Sequence, residues 1–126
     1  MDNMPEETNE PCEFRERICD VLQLIADAEA QIEYQRRAPY VDVAAELFNQ
    51  WDDAYHPSYG AFRRQFEAEE LLALEVFAQL IDVVAGETPQ RLPSLTEFIK
   101  TASWRSLSAG ARLARSALHG FSARSD

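Results

Sequence analysis

From Phe14 onward, apolar residues return every three or four positions, and no segment alternates at every second position as a half-buried strand does. Phe14, Ile18, Val21, Ile25, Ala28 and Ile32 are spaced by four and three, with Leu22 widening the line. Arg15, Glu16, Asp20, Gln23 and Asp27 fall on other faces. At 3.6 residues per turn the first set lies along one side, so the spacing predicts one long amphipathic helix reaching about Arg37. Pro39 stops it, because a residue that precedes proline is pushed out of the α region.

The same period recurs downstream. A second helix is expected from Val41 to about Tyr55, carried by Ala44, Leu47, Phe48 and Trp51, with Asp42 as first-turn negative charge and His56-Pro57-Ser58-Tyr59-Gly60 as the turn that ends it. Residues 61–66 suit one or two helical turns. A third long helix is expected from Ala68 to Ala85. Its apolar face, Leu71, Leu74, Phe77, Ile81 and Val84, is broadened by Leu72, Val76, Leu80 and Val83, which predicts a central position. Glu70 stands where a capping-box acid belongs, and Gly86 is the expected left-handed terminator, with Pro89 beyond it. Ser94-Leu95-Thr96-Glu97 is a capping box that opens a short helix. Ser103 is placed to cap a last helix lined by Trp104, Leu107, Ala111, Ala114 and Leu118 and closed by Gly120. One side of it, Ala109, Gly110, Ala111, Ala114 and Ala117, is small enough for close packing, either within a monomer or in a weak homodimer.

A chain of 126 residues holds one core rather than two. The expected fold is therefore all-α: a compact bundle of four to five helices forming a single domain over residues 12–120, with an acidic tail at 1–11 and a short tail at 121–126. Residues 1–11 carry Asp2, Glu6, Glu7 and Glu10 with no basic residue, unlike a secretory leader. The apolar runs are broken by Glu75 and Asp82 well short of the ~20 residues of a membrane span. These features predict a cytoplasmic protein. Cys12 and Cys19 sit seven apart, about 10 Å along a helix, too far for a disulfide, and two reduced thiols are expected.

The net charge of −10 is unevenly placed. Residues 1–60 hold fourteen acids and four arginines, whereas residues 61–126 hold eight charges of each sign. A field of that sign repels phosphate backbones and anionic lipid, which disfavours nucleic acid and membranes and favours a basic protein partner. Solubility alone would explain the charge equally well.

Four groups carry candidate chemistry. Asp52, Asp53 and His56 put carboxylate and imidazole within one helical turn, as a metal site or acid/base pair requires, but one turn supplies at most two good ligands and no further His motif completes the set. His119 sits near a helix C-terminus, where the dipole favours an imidazolium. Glu29, Glu33, Arg36 and Arg37 read as surface pairs. The fourth is aromatic: Tyr40, Phe48, Trp51, Tyr55, Tyr59, Phe62 and Phe66. Phe48, Trp51, Phe62 and Phe66 read as core. Tyrosines beside Glu46, Asp52 and Asp53 form a composition that anchors protein interfaces against arginine or lysine. Phosphate loops, zinc-spaced cysteine pairs and nucleophile elbows are absent from the sequence, so neither enzymatic activity nor a cofactor is expected.

Glu46-Leu47-Phe48-Asn49-Gln50-Trp51-Asp52-Asp53-Ala54-Tyr55, followed by Pro57, Ser58 and the 61–66 segment, resembles the aromatic-Gln-Asp-Trp segment of helical immunity proteins from bacterial contact-dependent growth inhibition systems. The Asp expected between Gln50 and Trp51 is missing, which leaves the register of Asp52 and Asp53 open. The resemblance covers about 25 residues and implies a cytosolic antidote that holds a cognate toxin, commonly a nuclease domain, in a stoichiometric complex. The residues expected to bind a partner, chiefly from the pairing of tyrosines with carboxylates, are Tyr40, Glu46, Asp52, Asp53, Tyr55, His56 and Tyr59. An adaptor or phage-encoded inhibitor of another protein, or a small metalloenzyme built on Asp52, Asp53 and His56 with Glu29 or Glu33, are the alternatives.

Overall fold

The computed structural model describes residues 13–87 and 94–125, with side chains as far as Leu118. The expected tail at 1–11, Cys12, Pro89 and the His119 side chain lie outside that description. Seven helices and no strand occur among the described residues: α1 Glu13–Ala26, α2 Ala28–Arg37, α3 Val43–Ala54, α4 Gly60–Arg63, α5 Ala68–Glu87, α6 Leu95–Phe98 and α7 Ala102–Ser125. The all-α class is as expected. The helix count is higher than four to five because the first predicted helix is two and because α4 forms a helical turn of its own.

The break falls at Asp27, whose backbone is extended (φ −122°, ψ 107°) and whose carboxylate accepts from the Glu29 and Ala30 N–H groups. Aspartate competes for backbone donors in this way and suits an N-cap better than a helix interior. The carbonyls freed at the end of α1 are taken up by side chains from elsewhere. Gln31 Nε2 donates to the Leu24 and Ile25 carbonyls at 2.9 and 3.1 Å, and Ser108 Oγ donates to the Ala26 carbonyl at 2.8 Å. Trp104 Nε1 donates in turn to Gln31 Oε1 at 3.0 Å. The break also resets the helical phase, so Gln31 is buried and Ile32, expected in the core line, is exposed.

α3 starts after Asp42, which caps it by accepting from the Ala45 N–H at 3.3 Å; it is therefore a cap rather than a first-turn charge. α5 runs through Gly86 to Glu87, and no described glycine has positive φ, so the left-handed stop expected at Gly86 is not present. Thr101, not Ser103, caps α7: its hydroxyl accepts from the Trp104 N–H at 3.0 Å. α7 also passes through Gly120 and continues to Ser125.

α1 lies between α3 and α7, and α7 packs on α5 along its other side. Leu22, Ile25, Leu47, Trp51, Phe62, Leu74, Phe77, Phe98, Leu107 and Leu118 form one continuous core. Much of the small side of α7 is used inside the molecule: a Cβ added to Gly110 would stand 2.3 Å from Leu80 Cδ2, so a larger residue there would force the Leu80 side chain to move. The breadth of apolar residues on α5 does not make it central. Leu72, Val76 and Val83 stay exposed because α5 is covered on one side only.

One buried ion pair joins three elements. Arg15 donates to both Glu70 carboxylate oxygens, Nη1 to Oε1 at 2.7 Å and Nη2 to Oε2 at 2.6 Å, with Glu70 fully buried. Arg15 Nη2 also donates to the Leu118 carbonyl and Nη1 to the Gln65 carbonyl. Glu70 Oε1 accepts from the Glu67 N–H at 2.8 Å, the backward reach of a capping box. Its spacing was readable. Its pairing with Arg15, 55 residues away, was not.

Candidate functional site: an acidic and aromatic corner

α3 ends where Tyr55 turns extended (φ −99°, ψ 114°), one residue before the His56-Pro57 step that excludes helix. Tyr59 N–H then donates to the His56 carbonyl at 3.1 Å and turns the chain into α4. Phe14 from α1 is keyed into this bend. It meets His56, Tyr59 and Phe62 edge-on at centroid distances of 6.2, 5.7 and 5.7 Å. Tyr55 stacks on Trp51 at 4.7 Å and meets Phe62 edge-on at 5.8 Å. Edge-to-face rings at these distances stabilise beyond their burial by about 0.5–1.5 kcal/mol each, so the first turn of α1 and the α3–α4 bend are held as one unit.

The seven residues expected to bind a partner do not form one site. Asp52, Asp53, Tyr55, His56 and Tyr59 gather at this corner. Tyr40 lies at the opposite end of α3, 88% exposed, and α3 is 12 residues long, about 18 Å. Glu46 is half-buried one turn in from that far end and accepts weakly from Gln50 Nε2 at 3.5 Å. Within the corner the roles divide. Tyr55 is half-buried, and burial raises its phenol above the usual value, with Glu75 adding to the rise and Arg63 opposing it. His56 Nε2 lies 2.7 Å from the Asp53 carbonyl oxygen; a carbonyl only accepts, so this nitrogen carries the proton. The ring thus faces backbone rather than either carboxylate. Asp52, Asp53 and Tyr59 are exposed, Tyr59 at 56%.

Further exposed carboxylates that the spacing argument did not single out lie on α1, the helix whose first turn meets this corner. Glu13, Glu16 and Asp20 are exposed on the outer side of α1, and Phe14 fixes that helix end against His56 and Tyr59. The signal was present in their spacing of three and four, opposite the apolar line. Neither these acids nor Asp52 and Asp53 take part in an ion pair among the described residues, whereas Glu33 is bound by Arg36 and Arg37. Those two hydrogen bonds hold the Glu33 carboxyl below its usual range. Arg63 is drawn away to the Pro57 carbonyl at 3.0 Å. No three His, Cys, Asp or Glu side chains converge on a metal-sized point among the described residues. No helix there is long and apolar enough to cross a membrane.

The chain matches no family profile, no curated protein and no solved structure.

Proposed function

We propose that this chain is an acidic protein-binding module that captures a basic protein partner in the cytoplasm, in the manner of an immunity protein neutralising a nuclease-type toxin. The observation that carries this reading is the corner itself. Asp52 and Asp53 are exposed at the end of α3 beside an exposed Tyr59 whose ring is braced by Phe14, and Glu13, Glu16 and Asp20 are exposed along the helix that carries Phe14; none of the five is in an ion pair among the described residues. Unpaired surface carboxylates repel one another and accelerate encounter with a positive surface. A braced tyrosine supplies contact area at little entropy cost. The resemblance of residues 46–55 to the immunity segment falls on the helix that ends at this corner.

The test uses a basic nuclease domain encoded beside this gene as the binding partner. Association should slow steeply as salt rises, and Asp52→Asn/Asp53→Asn should weaken capture without lowering thermal stability, while adding Tyr59→Ala should weaken capture further at a stability cost of about 0.5–1.5 kcal/mol for the lost edge-on contact with Phe14. Association kinetics indifferent to salt would remove the steering argument. Full capture by the triple variant would remove the corner.

A further inference from the structure

The strongest feature outside the corner is an exposed apolar band along the seam between α5 and α7. Leu72, Val76 and Val83 are 60%, 61% and 56% exposed and Leu113 is 74% exposed. On α5 these positions follow steps of four and seven, with half-buried Leu80 between them, so they form one line. Two contacts set the register of the seam. Arg15 touches both Glu70 and the Leu118 carbonyl, and Gly110 lies under Phe77 and Leu80. The helices are therefore antiparallel, with position 70 level with 118 and position 77 level with 110. Leu113 is then level with Val76. It stands about 60° around α7 from Gly110, away from buried Leu107, Ala111 and Ala114. Val76 and Val83 turn out of the seam on α5 to the same side. The line ends at exposed Glu69 and Glu87.

Charge distinguishes the two rims of this band. Beyond the apolar line on α5 lie exposed Glu75 and Asp82, and beyond Leu113 on α7 lie exposed Arg105 and Arg112, which keep their charge while donating to the Lys100 carbonyl at 3.1 Å and to Ser108 Oγ at 2.9 Å. Each pair is seven residues apart. In the register just given, Glu75 is level with Arg112 and Asp82 with Arg105. A two-fold axis running along the seam would lay α5 of one copy over α7 of the next and set Glu75 against Arg112 and Asp82 against Arg105, twice over. An axis across the seam would set each acid pair against itself.

We infer that this band is a homodimer face, closed by a two-fold axis parallel to the seam. A self-complementary rim is what an isologous contact demands. The face is modest. Eleven residues of rise by two helix widths gives roughly 16 by 20 Å, about 320 Å², below the ~800 Å² per partner of a stable interface. Association in the micromolar range or weaker follows.

Sedimentation of the full chain over a wide concentration range reads this directly. The expected result is a reversible monomer–dimer equilibrium, weakened about tenfold or more by Val76→Glu, an exposed position where folding is not at stake. Glu75→Arg/Asp82→Arg and Arg105→Glu/Arg112→Glu should each be monomeric alone and should pair when mixed, because both cross-contacts are then opposite in sign. A monomer at every concentration, or a dimer that Val76→Glu leaves intact, overturns the face. Failure of the two folded charge variants to pair overturns the axis. Dimerisation that emerges only when residues 1–12 are removed assigns the band to that segment and overturns the proposal as well.

Discussion

Polar groups are treated in opposite ways at two places on the first helix. On the side facing α5 and α7, Arg15 is satisfied by five hydrogen-bond partners drawn from Gln65, Glu70 and Leu118, and the break at Asp27 is sealed by Gln31, Trp104 and Ser108. At the first turn, on the side facing the α3–α4 bend, contact is made by the Phe14 ring against His56, Tyr59 and Phe62, and the carboxylates are left outside. Buried polar networks permit few alternative packings, since each lost partner strands a desolvated group. The first region therefore specifies how the helices assemble. The second holds its shape through rings and leaves its charges available, which suits a surface that meets something else.

The largest expected effect lies in the first region. Arg15→Met leaves the Glu70 carboxylate fully buried with only the Glu67 N–H as a remaining donor, and should cost about 3–5 kcal/mol. Glu70→Gln should cost less, because Arg15 retains 22% exposure and can rehydrate. Chemical denaturation of the two variants checks the order. If Glu70→Gln proved the more damaging, the pair would not be the constraint described. Next in size is Trp104→Phe, which keeps the ring but removes the donor to Gln31 Oε1 and should cost about 1–3 kcal/mol. Adding Gln31→Leu should then cost less than it does in the wild-type background, a coupling that a double-mutant cycle reads.

The same contrast explains what could be read from the sequence. The all-α class and the α3 and α6 helices followed from period and capping chemistry, because those signals act within a few residues. The break at Asp27 did not, because its stability depends on Ser108 and Trp104, which are distant in the chain. Arg15 read as a surface residue for the same reason: the ring of partners that buries it is tertiary. The exposed line on α5 was mistaken for core because hydrophobicity reports what a helix can bury, not whether a neighbour stands there. At the corner, the tyrosines and Asp52 and Asp53 were visible as a cluster. The contribution of Glu13, Glu16 and Asp20 needed the contact of Phe14 with Tyr59.

Smaller effects should come from the corner. Asp52→Asn/Asp53→Asn removes two exposed, unpaired charges and should change stability by no more than about 0.5 kcal/mol, measured by thermal unfolding at low salt. A loss several times larger would mean that these side chains hold the bend, and the distinction between a wired side and an available side would fail.

The smallest effect compares the two regions at alkaline pH. Cys19, on the wired side, is half-buried. Burial raises its thiol above the usual 9.0, although Arg15 and Arg115 pull it down. Burial likewise raises Tyr55 of the corner above its usual 10.0. A raised value means that the folded state holds its proton more tightly than the unfolded chain does. The associated stability is complete below the usual value and is lost as pH rises through the folded one. The wired side should therefore begin to weaken from about pH 9 and the corner only from about pH 10. With Cys12→Ser as background, Cys19→Ala should delay the alkaline loss of stability by about one pH unit, leaving a limb that Tyr55→Phe then flattens. Iodoacetamide should also modify Cys19 more slowly than a free thiol at pH 8–9, since the reacting thiolate is scarce. Alkylation as fast as that of free cysteine would show that the arginines outweigh burial at Cys19, and the α1–α7 contact would be more open than its packing indicates.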